Sequence, residues 1–279
     1  MDKVTVSKLW KMKAAGEKIA MVTAYDYPTA MLVEKAGLEI ILVGDSVGMV
    51  VLGYENPVPV TVDDIVHHTK AVVRGAKAPL VVADMPFMSY HVSREQAVTN
   101  AARLIQEGGA DAVKLEGGKE AAPTVKALVD VGIPVQAHIG LMPQRASVGG
   151  SFKVQGTDAD TAAAIVEDAV ALGDAGAFSV VLEFVTAETA EAITQTVEMP
   201  TIGIGSGPMC DGQVLVLHDL LGVYDEAPPF AHPYADLNKV ITDALAKYRE
   251  DVRSVKYPGE KYTVHMEGAE AEKLKKKRG

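Results

Sequence analysis

The stretch Ala112-Val113-Lys114-Leu115-Glu116-Gly117-Gly118 sets a lysine and a glutamate two residues apart inside an apolar run. On a β-strand, residues i and i+2 point to one face. Lys114 and Glu116 therefore share a face, and the two glycines end the strand. Burying both charges is costly unless each finds a partner. Taken alone, the stretch also reads as a surface strand whose ion-pair face is solvated. The strands on either side decide between the two.

Short hydrophobic runs flank this one at 19–26, 40–46, 79–86, 134–140, 178–183, 201–207 and 213–219. Helical patterns separate them, several closed by glycine as at Gly37, Gly132 and Gly176, and one opened by the N-cap pattern Thr61-Val62-Asp63-Asp64. Seven or eight short strands alternating with helical segments predict an α/β protein with parallel strands. The count and the 279-residue length suit a (β/α)8 TIM barrel, typically ~250 residues. Strand count alone leaves a doubly wound open sheet as the alternative. An opening helix ending near Gly16 and an amphipathic helix over Asn238–Arg253 fall outside the eight units, as additional N- and C-terminal helices. With no linker-like break before about residue 225, residues 1–262 are expected to form a single barrel catalytic domain. Residues 263–279 then form a charged tail, whose basic run Lys273–Arg278 reads as frayed and solvated.

Composition narrows the function. A formal net charge of −10 argues against a general binder of nucleic acid or anionic membrane. The one cysteine, Cys210, excludes an intramolecular disulfide and a cysteine-cluster metal site. The N-terminus lacks an apolar run of signal-peptide type, and no apolar stretch approaches the ~18 residues of a membrane span. A cytoplasmic protein is expected.

Active sites of parallel α/β folds lie at the carboxyl ends of the strands. Those ends carry Asp45-Ser46, Asp84, Lys114 with Glu116, His138 and Glu183. Alternation groups Ile41, Val43 and Asp45 on one face, and likewise Val82 with Asp84, Gln136 with His138, and Val181 with Glu183; all are expected to face inward and converge. Three carboxylates without clustered cysteines or paired histidines suit a hard, oxygen-preferring cation, and Mg2+ fits best. Asp45, Asp84 and Glu116 are the metal candidates. Lys114 and Ser46 can hold a substrate anion. His138 can donate to a carbonyl or serve as acid or base. Glu183, flanked by Val181, Leu182 and Phe184, is the candidate general base. A cation that polarises a carbonyl beside a carboxylate base is equipment for removing an α-proton and stabilising the enolate.

Other features carry less. Gly203-Ile204-Gly205-Ser206-Gly207 lacks Rossmann glycine spacing and a Walker lysine, so it reads as a tight strand-end turn. His67 and His68 are adjacent on a helix, where side chains diverge. Cys210 reads as a small buried side chain.

Several segments, in this order, resemble the ketopantoate hydroxymethyltransferase family: TAYDYPTA at 23–30, VGDSVGMVVLGY at 43–54, VADMPF at 82–87, AVKLEGG at 112–118, HIGLMPQ at 138–144, KVQG at 153–156, TIGIGSG at 201–207 and CDGQVLVLHDLLG at 210–222. The resemblance implies a (β/α)8 barrel in a homo-oligomer, often a decamer, working in pantothenate and coenzyme A biosynthesis. It implies 5,10-methylenetetrahydrofolate as one-carbon donor and α-ketoisovalerate (3-methyl-2-oxobutanoate) as acceptor, joined through a Mg-stabilised enolate. The family's metal acids fall on Asp45, Asp84 and Glu116, its ketoacid contacts on Asp45, Ser46, Asp84 and Lys114, and its proton acceptor on Glu183. A further polar position falls on His138. Met88, Thr186 and Ser151 depart from the usual family pattern, Met88 standing where glycine is common and Thr186 where proline is. They bear on loop shape at the mouth, not on the reaction class. Two alternatives stand: a Mg-dependent enolate-forming lyase or mutase of the isocitrate lyase and phosphonopyruvate mutase type, for which no reactive-cysteine loop is visible, and a non-catalytic scaffold on the same fold.

Overall fold

The computed structural model describes residues 2–149 and 152–278, so Ser151 lies outside the described residues. Eight strands form the frame: β1 (Ile19–Thr23), β2 (Ile40–Val43), β3 (Leu80–Asp84), β4 (Ala112–Glu116), β5 (Val135–Gly140), β6 (Ser179–Glu183), β7 (Thr201–Ile204) and β8 (Gly212–Leu215). They pair in sequence order, all parallel, and β8 returns to β1, closing a barrel. Closure excludes the open sheet and leaves no exposed sheet edge.

Alternation along the strands divides the apolar residues between two cores. One lies inside the barrel and includes Ile19, Met21, Ile40, Leu42, Val82, Ala112, Val181 and Ile202. The other lies between strands and helices and includes Val22, Ile41, Val43, Ala83, Val113, Leu115, Ala137 and Leu182. A parallel strand covered on both faces is apolar on both, which is why the strands read as continuous hydrophobic runs.

The helix Val6–Ala15, opened by the Thr5 side chain and closed by Gly16 in the left-handed region, covers the amino-terminal end of the barrel. Its Leu9 and Met12 join the interior core. Trp10 Nε1 donates to Phe178 O at 3.0 Å. Lys13 Nζ donates to Val197 O and Met199 O and pairs with Asp211 at 2.9 Å. These contacts tie one helix to the approaches of three strands. Burying a side chain such as Leu9, fully removed from water, contributes roughly 1.5–3 kcal/mol.

Local details differ from the sequence reading. The supposed eighth strand ends at Leu215, and Leu217–Leu220 is already helical. The loops after β2 and β5 contain short helices, Val47–Val50 and Pro143–Gly149. The basic run expected to fray belongs to a helix, Gly268–Arg278, laced by Glu270–Lys273 and Glu272–Lys275 pairs.

The chain divides into two compact units. One comprises the barrel to Leu220 with Pro228–His232; the other comprises Leu221–Ala227 and Pro233 onward. The sequence boundary at 262 thus differs from the packing boundary, which groups residues 233–262 with the charged tail. The second unit holds the helix Leu237–Arg253, N-capped by Asp236. Among the described residues, no helix is long and apolar enough to cross a membrane.

The Met88 departure has a structural consequence. Its φ of 62° lies in the left-handed region, which a side chain with a Cβ occupies at a cost of ~1–2 kcal/mol and glycine occupies freely. Met88→Gly should therefore raise stability by about 1 kcal/mol, less the entropy glycine adds to the unfolded chain. Urea unfolding of the two proteins checks this, and a lower midpoint for the glycine variant would contradict it.

Candidate active site

The carboxyl ends of the strands bring Asp45, Asp84, Lys114, Glu116 and His138 together, all buried, with Glu183 slightly open to solvent. Register does most of this. Asp84 on β3 lies opposite Lys114 on β4, and Glu116 lies opposite His138 on β5. Lys114 and Glu116 continue the inward parity of Ala112, as Asp84 continues that of Val82 and Glu183 that of Val181.

Asp45 is the exception. Ile41 and Val43 belong to the outer core, so strand alternation through them would aim residue 45 away from the interior. The strand ends at Val43, however, and Asp45 sits in the turn that follows. The turn returns it to the site, where its N–H donates to Asp84 Oδ2 at 3.1 Å. Asp45 therefore reaches the cluster through the turn and not through the strand face expected for it.

Lys114 lies at the centre. Its Nζ donates to Asp84 Oδ1 at 2.6 Å and stands 3.5 Å from His138 Nδ1. Burial pushes the ammonium pKa down, but Asp84, Asp45 and Glu116 outweigh burial and hold it above the usual lysine range. One cation serves several acids. Asp45 is pushed up to about 7 by burial and then by the Asp84 charge, with Lys114 pulling the other way. Glu116 is raised well above the usual carboxylate range, by burial first and the Asp45 charge second.

His138 stands between two glutamates. Its Nδ1 is 3.8 Å from Glu116 Oε1, and its Nε2 is 3.2 Å from Glu183 Oε2. The latter contact is within ion-pair distance but outside hydrogen-bond geometry, which leaves Nε2 buried without a hydrogen-bond partner among the described residues. Glu183, expected in an apolar setting, therefore has a histidine for a neighbour across the β5–β6 pair. Gly140 makes the approach possible: its φ is 92°, and a Cβ there would fall 2.4 Å from Glu183 O.

Three further residues belong to this network. Gln144, fully buried, donates through Nε2 to Asp45 Oδ2 at 2.8 Å and Met85 O at 3.1 Å. Its backbone N–H donates to Glu116 Oε2 at 3.2 Å, and its Oε1 accepts from Tyr90 O–H at 2.8 Å. One residue thus contacts two acids, Asp45 in the turn after β2 through its side chain and Glu116 on β4 through its backbone. Tyr25 O–H and Ser46 Oγ are hydrogen-bonded at 2.8 Å, and burial raises the Tyr25 pKa above the usual phenol range. The segments TAYDYPTA and HIGLMPQ contain Tyr25 and Gln144; Gln144 lies beyond a strand end, and Tyr25, two residues past β1, lies at one but is an uncharged ring that blends into its apolar run.

Among the described residues, no three His, Cys, Asp or Glu side chains converge in a ready-made metal cage. Lys114 occupies one oxygen of Asp84, and Gln144 occupies one oxygen of Asp45 through its side chain and one of Glu116 through its backbone N–H. The arrangement supplies a buried ammonium, an excess of carboxylates over cations, an orphaned imidazole nitrogen and a less buried carboxylate at the rim.

Comparison with known proteins agrees with this architecture. The phosphonopyruvate hydrolase structure in complex with oxalate and Mg2+ has a TM-score of 0.57 at 12% identity, over 98% of this chain and 97% of that one. A 2,3-dimethylmalate lyase of the PEP mutase/isocitrate lyase superfamily has a TM-score of 0.57 at 15% identity, covering both chains fully. At such identities the likeness shows the fold alone. Sequence likeness is far closer: the 3-methyl-2-oxobutanoate hydroxymethyltransferase of Carboxydothermus hydrogenoformans is 57% identical over 95% of this chain and 97% of its own length. The ketopantoate hydroxymethyltransferase family model matches residues 3–260. The chain belongs to the ketopantoate hydroxymethyltransferase family and is a transferase.

Proposed function

We propose that the barrel mouth transfers a hydroxymethyl group from 5,10-methylenetetrahydrofolate to α-ketoisovalerate (3-methyl-2-oxobutanoate), giving ketopantoate. The observation that carries this reading is the buried set of Asp45, Asp84, Lys114, Glu116 and His138 at the strand ends of a chain of this family. The reading extends to a cytoplasmic homo-oligomer, a decamer by resemblance.

The donor set fits Mg2+ in chemistry and charge. Burial and mutual repulsion raise Asp45 and Glu116, and a divalent cation would relieve that repulsion. The absence of an all-protein cage is compatible, since Mg2+ is usually held by one or two carboxylates while water and substrate oxygens complete its shell. Asp45, Asp84 and Glu116 are the residues proposed to hold it, directly or through water. When bound, Mg2+ supplies a Lewis acid for the keto group.

The chain's own groups account for the rest. Lys114 and Ser46 hold the ketoacid carboxylate, with Asp45 and Asp84 beside it. Glu183 takes the proton from C3. His138, whose Nε2 has no hydrogen-bond partner among the described residues, donates to an oxygen that gains charge as the enolate forms. The C3 carbon then bonds to the folate's methylene carbon as the bond from that carbon to one folate nitrogen breaks; water displaces the second nitrogen and supplies the hydroxyl, and the two nitrogens take up the C3 proton and a proton of the water, leaving tetrahydrofolate.

The direct test is incubation of the ketoacid and Mg2+ with and without methylenetetrahydrofolate. Ketopantoate should form only with the folate present. Carbon–carbon cleavage of a 2-hydroxy or 2-keto diacid without folate would instead favour a lyase.

Metal binding carries its own pH signature. Asp45 in the folded protein titrates at about 7, above its ordinary range. Its contribution to stability is therefore fully present below that ordinary range and lost as pH rises through about 7. A cation that binds the ionised acids should restore it. With ketoacid present, Mg2+ should raise Tm more at pH 8 than at pH 6. A shift that is absent, or equal at both, would contradict the assignment of the acids.

A further inference from the structure

Phe184, directly after the proposed base, has a φ of 50°. A bulky non-glycine residue in the left-handed region persists only when its surroundings hold it there. Five backbone groups between Leu182 and Val185 are held. Leu182 O accepts from Ser206 Oγ at 2.7 Å, and Glu183 O accepts from Leu141 N–H at 2.8 Å. Phe184 N–H donates to Ile204 O and Phe184 O accepts from Gln155 N–H, both at 2.9 Å. Val185 N–H donates to Ser206 Oγ at 3.2 Å.

Three of the partners facing this kink, Leu141 N–H, Ile204 O and Gln155 N–H, are backbone atoms that any sequence would supply. Ser206 is the exception. Its hydroxyl is the one side-chain group in the set, and it grips the chain on both sides of Glu183 and Phe184. It is buried at 1% exposure. Gly205 and Gly207, with φ of 63° and 77°, shape the turn that delivers it. A Cβ at Gly205 would come within 2.9 Å of the Phe230 ring and 3.2 Å of Phe184, so this turn is packed tightly against the kink. The glycine-rich end of β7 thus has a use other than holding a phosphate.

We infer that Ser206 is a positioning residue for Glu183: by pinning Leu182 O and Val185 N–H it keeps the strained Phe184 backbone that aims the Glu183 carboxylate across the mouth. The inference rests on Glu183 being the base. Releasing the hydroxyl lets Phe184 relax toward an ordinary conformation, and the carboxylate shifts with it. Misplacement of a reacting group by about 1 Å can cost on the order of a hundredfold in rate. Ketoacid binding, through groups on other strands, is spared.

The test is hydrogen–deuterium exchange at C3 of 3-methyl-2-oxobutanoate with Mg2+ and no folate, run on the wild type, Ser206→Ala, Ser206→Cys and Glu183→Gln. Ser206→Ala should lower the exchange kcat by roughly 10- to 100-fold while KM for the ketoacid stays within about twofold, the pattern of an interaction used in the transition state. Ser206→Cys, which keeps the volume and a weak donor, should fall between alanine and serine, and it carries the test if the alanine variant fails to fold. A wild-type kcat in both Ser206 variants beside an inactive Glu183→Gln would overturn the inference while leaving the base in place. Full exchange in Glu183→Gln would overturn the base assignment, and the role given to Ser206 with it.

Discussion

Charge imbalance in a buried place governs this molecule. Asp45, Asp84 and Glu116 lie almost out of water beside a single lysine. An ionised carboxylate in such a setting requires compensation, and its absence appears as a raised pKa. Here it is raised for Asp45 and Glu116. The folded protein stores repulsion at the barrel mouth that a cation and a substrate anion bound together would resolve. A barrel suits this arrangement. Closure fixes the register of neighbouring strands, so Asp84 meets Lys114 and Glu116 meets His138 without loops having to find one another. The amino-terminal helix closes the opposite end with apolar residues, which leaves the carboxyl end as the place where polar groups can gather.

The scaffold beneath the site uses neutral groups to aim charged ones. Gln144 spends every hydrogen-bonding group of its side chain, and its backbone N–H, on the site: two acids, one carbonyl and one phenol. Ser206 grips the backbone on both sides of Glu183. Neutral hydrogen-bonding groups fix direction without adding to the charge that the cluster must already tolerate.

Strand ends were legible in the sequence because their chemistry changes abruptly there. Lys114 with Glu116, Asp84, His138 and Glu183 each interrupt an apolar run, and period-two alternation gave their faces correctly. Asp45 shows where that logic stops: β2 ends two residues before it, and turn geometry, not alternation, aims it. Gln144 was illegible for the same reason: it acts from a short helix, where no strand periodicity marks direction. Tyr25 lay in the run read as the first strand, and an aromatic ring does not interrupt an apolar run as a charge does. Ser206 sat in a motif read only as a turn, because a serine's use is visible only when the opposing strand is in place. The tail helix Gly268–Arg278 was missed because its exposed, lysine-rich sequence carries no apolar stripe. The shortfall lies in elements whose orientation depends on tertiary contacts.

The central claim is that the acids, the lysine and the histidine at the barrel mouth act on one ketoacid bound with one cation. A crystal structure with Mg2+ and 3-methyl-2-oxobutanoate tests it most directly. The expected result has the cation on oxygens from Asp45, Asp84 or Glu116, the ketoacid carboxylate beside Lys114 and Ser46, and C3 facing Glu183. A ketoacid bound away from these side chains, or a cation bound without any of the three acids, would contradict it.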